Sequence, residues 1–158
     1  MLAQAQADAA DALENLRDLA RGIYPPLLAE QGLAAALEAQ ARRSPVPVTV
    51  EADRLARYPL EAEAAVYFCV LEALQNIAKY AAASRTAVRL AGRADGLEFS
   101  VTDDGAGFDA GSAGYGTGLQ GMADRLAALG GDLQVRSQPG YGTRVTGQLP
   151  VRALEPVS

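Results

Sequence analysis

Two predicted β-hairpins, set among helical segments, constrain the fold of this chain more than any other feature. The strand-like segments TAVRLAGR and LEFSVTDD meet around Asp95-Gly96, and DLQVRS and TRVTGQLP meet around Pro139-Gly140. Turn dipeptides between such segments are typical of antiparallel pairs. Helical patterns cover LAAALEAQARR, residues 60–82 and GLQGMADRLAALGG, and VPVTVEA reads as a further strand. We therefore expect an α+β fold: a two-layer sandwich of a mixed, mainly antiparallel sheet with its helices on one face, rather than a parallel doubly wound sheet.

The chain of 158 residues suits one domain with a short appendage. Residues 1–24 carry apolar side chains at alternating spacings of three and four, which predicts a packing helix. Pro25 and Pro26 cannot continue that helix, because proline lacks an amide donor and displaces the preceding residue from helical geometry. We predict a linker over 25–31, a domain over 32–150 and a frayed tail over 151–158.

The composition argues against several classes of protein. With a net charge of −5, the chain lacks the positive field that gathers nucleic acid or anionic lipid. Cys69 is its one cysteine and it has no histidine, so an internal disulfide is impossible and a zinc site would lack its usual ligands. No apolar run reaches the roughly 18 to 20 residues that span a bilayer, and the start does not resemble a signal peptide. We expect a protein of the reducing cytoplasm, with no direct contact to membrane or nucleic acid.

A polar stripe on the helix containing EALQNIAKYA is a candidate site. Glu72, Asn76, Lys79 and Tyr80 fall within about 100° of arc and so project from one side. The Asn76 carbonyl oxygen suits Mg²⁺, and Lys79 supplies a point charge for phosphate oxygens. Glu72 could accept a proton or orient a nucleophile. A solvated helix face is the competing interpretation, and the stripe alone favours that one.

The segment VTDDGAGFD runs from a strand into two glycines. Gly105 and Gly107 would let main chain approach a ligand closely. Asp103, at the strand end, can accept a hydrogen bond from an exocyclic amine, which would distinguish adenine from guanine. An ordinary Asp-Gly turn explains the same letters, so this motif alone leaves both interpretations open.

Two further motifs are weak when taken singly. In GYGTGLQGM, Gly116 and Gly118 precede a helix, whose free amides and positive end would face phosphate. In PGYGTRV, Thr143 begins a strand, and its hydroxyl could support the same base directly or through water.

Taken in this order, EALQNIAKYA, DDGAGFD, GYGTGLQGM and GTRV resemble the nucleotide-binding boxes of the histidine-kinase-like (Bergerat or GHKL) ATPase superfamily, over about residues 32–150. The segment GLQGMADRLAALGG resembles the nitrate-sensor-type sensor histidine kinases in particular. The segment LRDLARGIYPPLLAEQGLAAAL resembles the second dimerisation helix of that subfamily and its exit.

The resemblance implies that the chain binds ATP and Mg²⁺ and belongs to a two-component signal-transduction kinase. On this basis Asn76 is the Mg²⁺ ligand, Asp103 contacts the adenine amine, and Glu72 assists phosphoryl transfer. Tyr80 stands where related sequences often have histidine. The remaining nucleotide-binding residues implied are Lys79, Tyr80, Gly105, Gly107, Gly116, Thr117, Gly118, Leu119 and Thr143.

The same resemblance implies a phosphoacceptor histidine on a first dimerisation helix, and this sequence contains no histidine. We therefore expect residues 1–24 to be the end of the second dimerisation helix, in a fragment that does not phosphorylate itself on histidine. Its homodimeric parent would pass phosphate to a response regulator, in the cytoplasm or attached to a membrane by segments beyond this sequence. A regulatory ATP-binding module without transfer activity and an anti-sigma-type serine kinase are the alternatives.

Overall fold

The computed structural model describes residues 25–78, 83–105, 116–137 and 140–154. The predicted helix at 1–24 and the end of the predicted helix at 60–82 therefore lie outside the described residues. The elements in chain order are α1 Pro26–Gln31, α2 Leu33–Ala41, β1 Val48–Asp53, α3 Leu60–Asn76, β2 Thr86–Arg93, β3 Gly96–Asp103, α4 Gly116–Ala127, β4 Asp132–Ser137 and β5 Thr143–Pro150.

The five strands form one sheet in the order β1-β2-β3-β5-β4. β1 pairs with β2 in parallel, and the three other pairings are antiparallel. Both predicted hairpins, β2 with β3 and β4 with β5, are present. The expected mixed, mainly antiparallel sheet is confirmed.

The core lies between one face of this sheet and the helices. Alternate residues of the central strands are buried because successive side chains of a strand point to opposite faces; on β2, β3 and β5 these include Val88, Leu90, Leu97, Phe99, Val101, Val145 and Leu149. From the helix layer, α3 buries most of its length, and α4 adds Met122 and Leu126, each 0% exposed. The α+β sandwich with its helices on one face is therefore confirmed.

The segment predicted as a linker, residues 25–31, contains a short helix that the sequence analysis did not predict, Pro26–Gln31. Proline is compatible with the first turn of a helix, where its missing amide would have no partner anyway. Leu28 of α1 is 0% exposed and belongs to the core. Burial of Leu28 therefore anchors a segment in which the prolines predicted only the end of a helix.

The predicted tail is partly held in place. The Val151 amide donates to the carbonyl of Asp95 over 3.2 Å, and the Leu154 amide donates to the carbonyl of Arg57 over 2.7 Å. Residues 155–158 lie outside the described residues. Within the described ranges, no helix combines the length and apolar character needed to cross a membrane.

Candidate functional site

A small cavity opens where β3 ends and β5 begins, under the contact between α3 and α4. It is lined by Ala73, Asn76, Ile77, Val101, Asp103, Leu119, Met122, Thr143 and Val145. Four of these residues, Asn76, Asp103, Leu119 and Thr143, come one each from the four motifs singled out in the sequence. The fold therefore brings motifs that are far apart in the chain to one place.

Asp103 is the buried polar centre of this cavity, with 5% of its surface exposed. Its Oδ1 accepts a hydrogen bond from the Gly105 amide over 2.8 Å. Its Oδ2 is buried and has no hydrogen-bond partner among the described residues. Because an unpaired buried acceptor is costly, this oxygen is suited to a donor brought by a ligand.

The electrostatics of Asp103 agree with that interpretation. Burial raises the pKa of its carboxyl group above the ordinary value, and the Gly105 amide opposes this effect. The negative charge of Asp104 raises the pKa further, while the Thr143 amide lowers it without making a hydrogen bond to Oδ2. The exocyclic amine of adenine would supply the missing donor, so the residues present fit the base of ATP.

The adjacent carboxylate has a different role. Asp104 is exposed and accepts hydrogen bonds from the amides of Ser84, over 2.8 Å, and Arg85, over 3.0 Å, and from the Ser84 hydroxyl. These bonds, the Ser84 hydroxyl foremost, lower the pKa of Asp104 to about 2. Asp104 therefore ties the segment before β2 to the end of β3, while Asp103 faces the cavity.

Thr143 lies directly opposite Asp103 in the β3–β5 register and is 8% exposed. Gly142 precedes it with φ +80°, and a Cβ there would lie 2.2 Å from the carbonyl oxygen of Asp103. Only glycine fits this turn.

Ser137, which the sequence analysis missed, places its Oγ 2.8 Å from Thr143 Oγ1. The one available signal was that the last residue of DLQVRS should pair with the first of TRVTGQLP.

The start of α4 packs closely on the polar stripe of α3. A Cβ on Gly118 would lie 2.8 Å from Glu72 Oε1 and 3.2 Å from Asn76 Nδ2. Glu72 and Asn76 are both half-buried and one helical turn apart. The missing side chain at 118 thus lets α4 approach the two polar groups.

Lys79, Tyr80 and Gly107 lie outside the described residues. Gly116 and Thr117 belong to the first turn of α4. Within the described part of the chain, no group of three or more acidic, cysteine or histidine side chains could hold a metal ion. A wider groove at the opposite end of the sheet, beside Gly96, Gly130 and Pro150, contains none of the predicted site residues.

The structure thus combines a two-layer sandwich with a buried aspartate at the end of a central strand, beside residues from all four sequence motifs. The family described as "Histidine kinase-, DNA gyrase B-, and HSP90-like ATPase" matches residues 61–153, and the chain belongs to this family. Within this family, the chain has the type of ATP-binding catalytic domain that is found in sensor histidine kinases.

Two kinds of relative support this assignment. The sensor histidine kinase MctS of Rhizobium johnstonii is 34% identical over 156 residues, which cover 93% of this chain and 34% of MctS. The chain therefore spans about a third of the length of that relative.

The histidine kinase domain of a blue-light activated histidine kinase from Erythrobacter litoralis matches with a TM-score of 0.60 and 21% identity, covering 93% of this chain and 75% of that one. The ATP binding domain of PrrB from Mycobacterium tuberculosis matches with a TM-score of 0.58 and 21% identity, covering 77% and 92%. At these identities the two structures bear on the fold alone.

Proposed function

We propose that the cavity binds the adenine of Mg-ATP, with Asp103 Oδ2 accepting a hydrogen bond from the exocyclic amine. The observation that carries this proposal is the buried Oδ2 atom without a partner among the described residues. The same cavity is lined by the apolar side chains of Ile77, Leu119 and Met122. These side chains would contact the faces of a planar base and bury it. Thr143 adds a hydroxyl beside Asp103.

The remaining residues are assigned to the phosphates and the cation. Asn76 offers a carbonyl oxygen to Mg²⁺, which typically takes few protein ligands and completes its shell with phosphate oxygens and water. Lys79 and Tyr80 would lie beside the phosphates and ribose. The other assigned residues shape the pocket or bring amides to the phosphates: Gly105, Gly107, Gly116, Thr117, Gly118 and Leu119.

For the reaction, we propose that ATP supplies a γ-phosphoryl group to a histidine on a dimerisation helix outside this sequence. Glu72 would orient that histidine or take its proton, while the other groups position the phosphates and neutralise their charge. Because the sequence contains no histidine, this chain should not phosphorylate itself on histidine. The parent would be a cytoplasmic-facing homodimer of the nitrate-sensor type that passes the phosphate to a response regulator.

A second candidate function is compatible with a sequence that contains no histidine. The chain could bind ATP and change its contacts with a partner without transferring phosphate. The two functions share the binding site and differ in whether transfer occurs.

The test combines binding with transfer. Calorimetry with the 158-residue chain should detect Mg-ATP, and Asp103→Ala should weaken binding by about tenfold or more, because a buried base contact is lost. The matched control is Asp95→Asn, since the Asp95 side chain is 81% exposed at the far end of the sheet. This variant should bind as the unaltered chain does.

Transfer is then measured with γ-labelled ATP and a histidine-bearing dimerisation hairpin added in trans. The unaltered chain should label the hairpin, and Glu72→Gln should bind ATP yet label it far more slowly. ATP binding without any labelling supports the regulatory function. Failure of the chain to bind ATP would reject both.

A further inference from the structure

Two side-chain oxygens are buried without a hydrogen-bond partner in the part of the chain that the structure describes, and they belong to neighbouring residues. The atoms are Thr86 Oγ1 and Asp103 Oδ2. Thr86 is 3% exposed and Asp103 is 5% exposed. Buried polar groups of folded proteins are nearly always paired, because an unpaired one keeps the full cost of leaving water. Two such atoms side by side point to one partner that serves both.

The strand register places these two residues together. Thr86 begins β2 and Asp103 ends β3, and they lie directly opposite each other in the antiparallel pair. Residues in such positions project from the same face, with Cβ atoms about 4.5–5.5 Å apart. Thr143 lies opposite Asp103 on the other neighbouring strand. Asp103 is therefore the middle of a polar row. Thr143 lines the cavity and Thr86 does not, so Thr86 can act on an occupant only through Asp103.

The chemistry of the two oxygens identifies the partner they share. A hydroxyl can donate or accept, whereas an ionised carboxylate can only accept. One water between them would donate a proton to Asp103 Oδ2 and pair with Thr86 Oγ1 in either direction, with no change in the position of either side chain. Buried waters commonly pair in this way with polar groups that the protein leaves unsatisfied. Because a carboxylate oxygen accepts two hydrogen bonds, Oδ2 keeps a lone pair for a ligand amine.

Packing alone does not account for the Thr86 hydroxyl. The inner face of β2 continues with Val88 and Leu90, which are 0% and 1% exposed. A valine at position 86 would have nearly the shape of threonine and would avoid burying a polar group. The hydroxyl is therefore costly unless it is paired.

We propose that Thr86 and Asp103 hold one buried water between β2 and β3, and that Thr86 acts through this water as a positioning residue for the Asp103 carboxyl group. The Gly105 amide already holds Oδ1 over 2.8 Å. The water would hold Oδ2, so both oxygens of the carboxyl group would be fixed before a ligand enters. The water site stands on the two unpaired atoms, while its effect on base affinity rests on the proposed binding of adenine.

The water site is tested without nucleotide. A crystal structure of the unaltered chain should show an ordered water within about 3.2 Å of both Thr86 Oγ1 and Asp103 Oδ2, and the structure of Thr86→Val should lack it. The urea midpoint of Thr86→Val should fall, because the variant loses a paired hydroxyl. Thr102→Val, on the exposed face of β3, is the control and should shift the midpoint little. No such water in the unaltered chain, or a higher midpoint in Thr86→Val, would overturn the proposal.

The positioning role is tested by calorimetry with adenosine, Mg-ATP and Mg-tripolyphosphate, which has no base. Thr86→Val should weaken adenosine and ATP by the same factor, about three- to tenfold, the range expected for one neutral hydrogen bond. Thr86→Ser keeps the hydroxyl and should bind both as the unaltered chain does, and tripolyphosphate should not distinguish the variants. Unchanged adenosine and ATP affinities in Thr86→Val would reject the positioning role. If the unaltered chain binds neither, the proposed function fails, while the crystal structure and the urea midpoint still decide the water site.

Discussion

At the scale of single residues, the site holds a buried carboxyl group, Asp103, whose Oδ2 has no hydrogen-bond partner in the described part of the chain. Asp103 has a pKa raised by burial, so the native chain holds a proton at pH values where the unfolded chain has released it. The free energy of unfolding therefore falls as the pH rises from 3.8, the ordinary pKa of the group, through the raised pKa of the native state. Above the raised pKa the native state keeps the free-energy cost of a buried, ionised carboxylate. A ligand donor at Oδ2 would offset the cost.

This linkage predicts a pH dependence of base binding. Adenosine affinity should fall on acidification from about pH 7 toward about pH 4, because protonation removes the acceptor that the amine needs. Adenosine is the suitable probe since it has no phosphates to titrate. Asp103→Asn should bind adenosine weakly and lose most of the pH dependence in calorimetric titrations. An Asn variant with the pH profile of the unaltered chain would contradict the assignment.

Gly118 and Gly121 form a matched pair for testing the approach of α4 to α3. A Cβ at 118 would meet Glu72 Oε1 at 2.8 Å and Asn76 Nδ2 at 3.2 Å, while a Cβ at 121 would meet nothing within 4 Å. Gly121→Ala should stabilise the chain by about 0.5 to 1 kcal/mol, the usual gain in helix propensity. Gly118→Ala should lose that gain and bind ATP several-fold more weakly, because it displaces both polar side chains.

Urea unfolding and ATP titration of the two variants measure these effects. If both variants bind ATP alike, the close approach of Gly118 does not position Glu72 and Asn76.

At the scale of elements, Arg57 joins α1 to α3. Its guanidinium lies 3.2 Å from each carboxylate oxygen of Glu63 and donates to the carbonyl of Ala29 over 3.0 Å. The Glu63 side chain is 1% exposed and that of Arg57 is 43% exposed. A cation at the carboxyl end of a short helix also interacts favourably with the last carbonyls. Arg57 thus holds α1 in place.

Arg57→Ala should lower the free energy of unfolding by about 2 kcal/mol, because it leaves a buried carboxylate without its cation; the half-exposed position of Arg57 keeps the loss below that of a fully buried pair. The control is Arg89→Ala, whose ion pair with Glu51 is 70% and 68% exposed and should be worth less than about 0.5 kcal/mol. Denaturant unfolding compares the two, and similar losses would show that Arg57 is only a surface charge.

The elements also show what the sequence could and could not predict. Turn dipeptides and alternating residues are local signals, so β2, β4 and β5 were predicted with their observed bounds. The helix α1 was missed because its stability depends on burial of Leu28 and on Arg57, which is distant in sequence. The helix propensities of residues 26–31 alone do not reveal such contacts.

The same limit applies within the site. Asn76, Asp103, Leu119 and Thr143 were predicted from ordered motifs, and the structure places all four around one cavity. The contact of Ser137 with Thr143 depends on cross-strand register, which no single motif encodes. The separate roles of Asp103 and Asp104 follow from where β3 ends: Asp103 is its last residue and is buried, whereas Asp104 comes after the strand and is exposed.

At the scale of the whole molecule, the cavity lies where α3, α4 and the sheet meet, so an occupant would contact all three. Cys69 lies at the neighbouring contact between the helices, 0% exposed, with its Sγ 3.8 Å from the Met122 carbonyl oxygen. Burial raises the pKa of its thiol to about 12, with a lowering effect from Arg125 and a raising effect from Glu72. As the single cysteine of the chain, it reports when the two helices separate.

Labelling of Cys69 with an aromatic disulfide reagent should therefore be slow in the native chain and fast in denaturant, because the thiolate forms only after the helices open. Saturating Mg-ATP should slow native labelling further, since a ligand that contacts both helices stabilises the closed state by mass action. Asp103→Ala should keep the slow basal rate and lose the protection by ATP. If saturating ATP leaves the rate of the unaltered chain unchanged, the nucleotide does not bridge α3 and α4, and the cavity between them is not the base site.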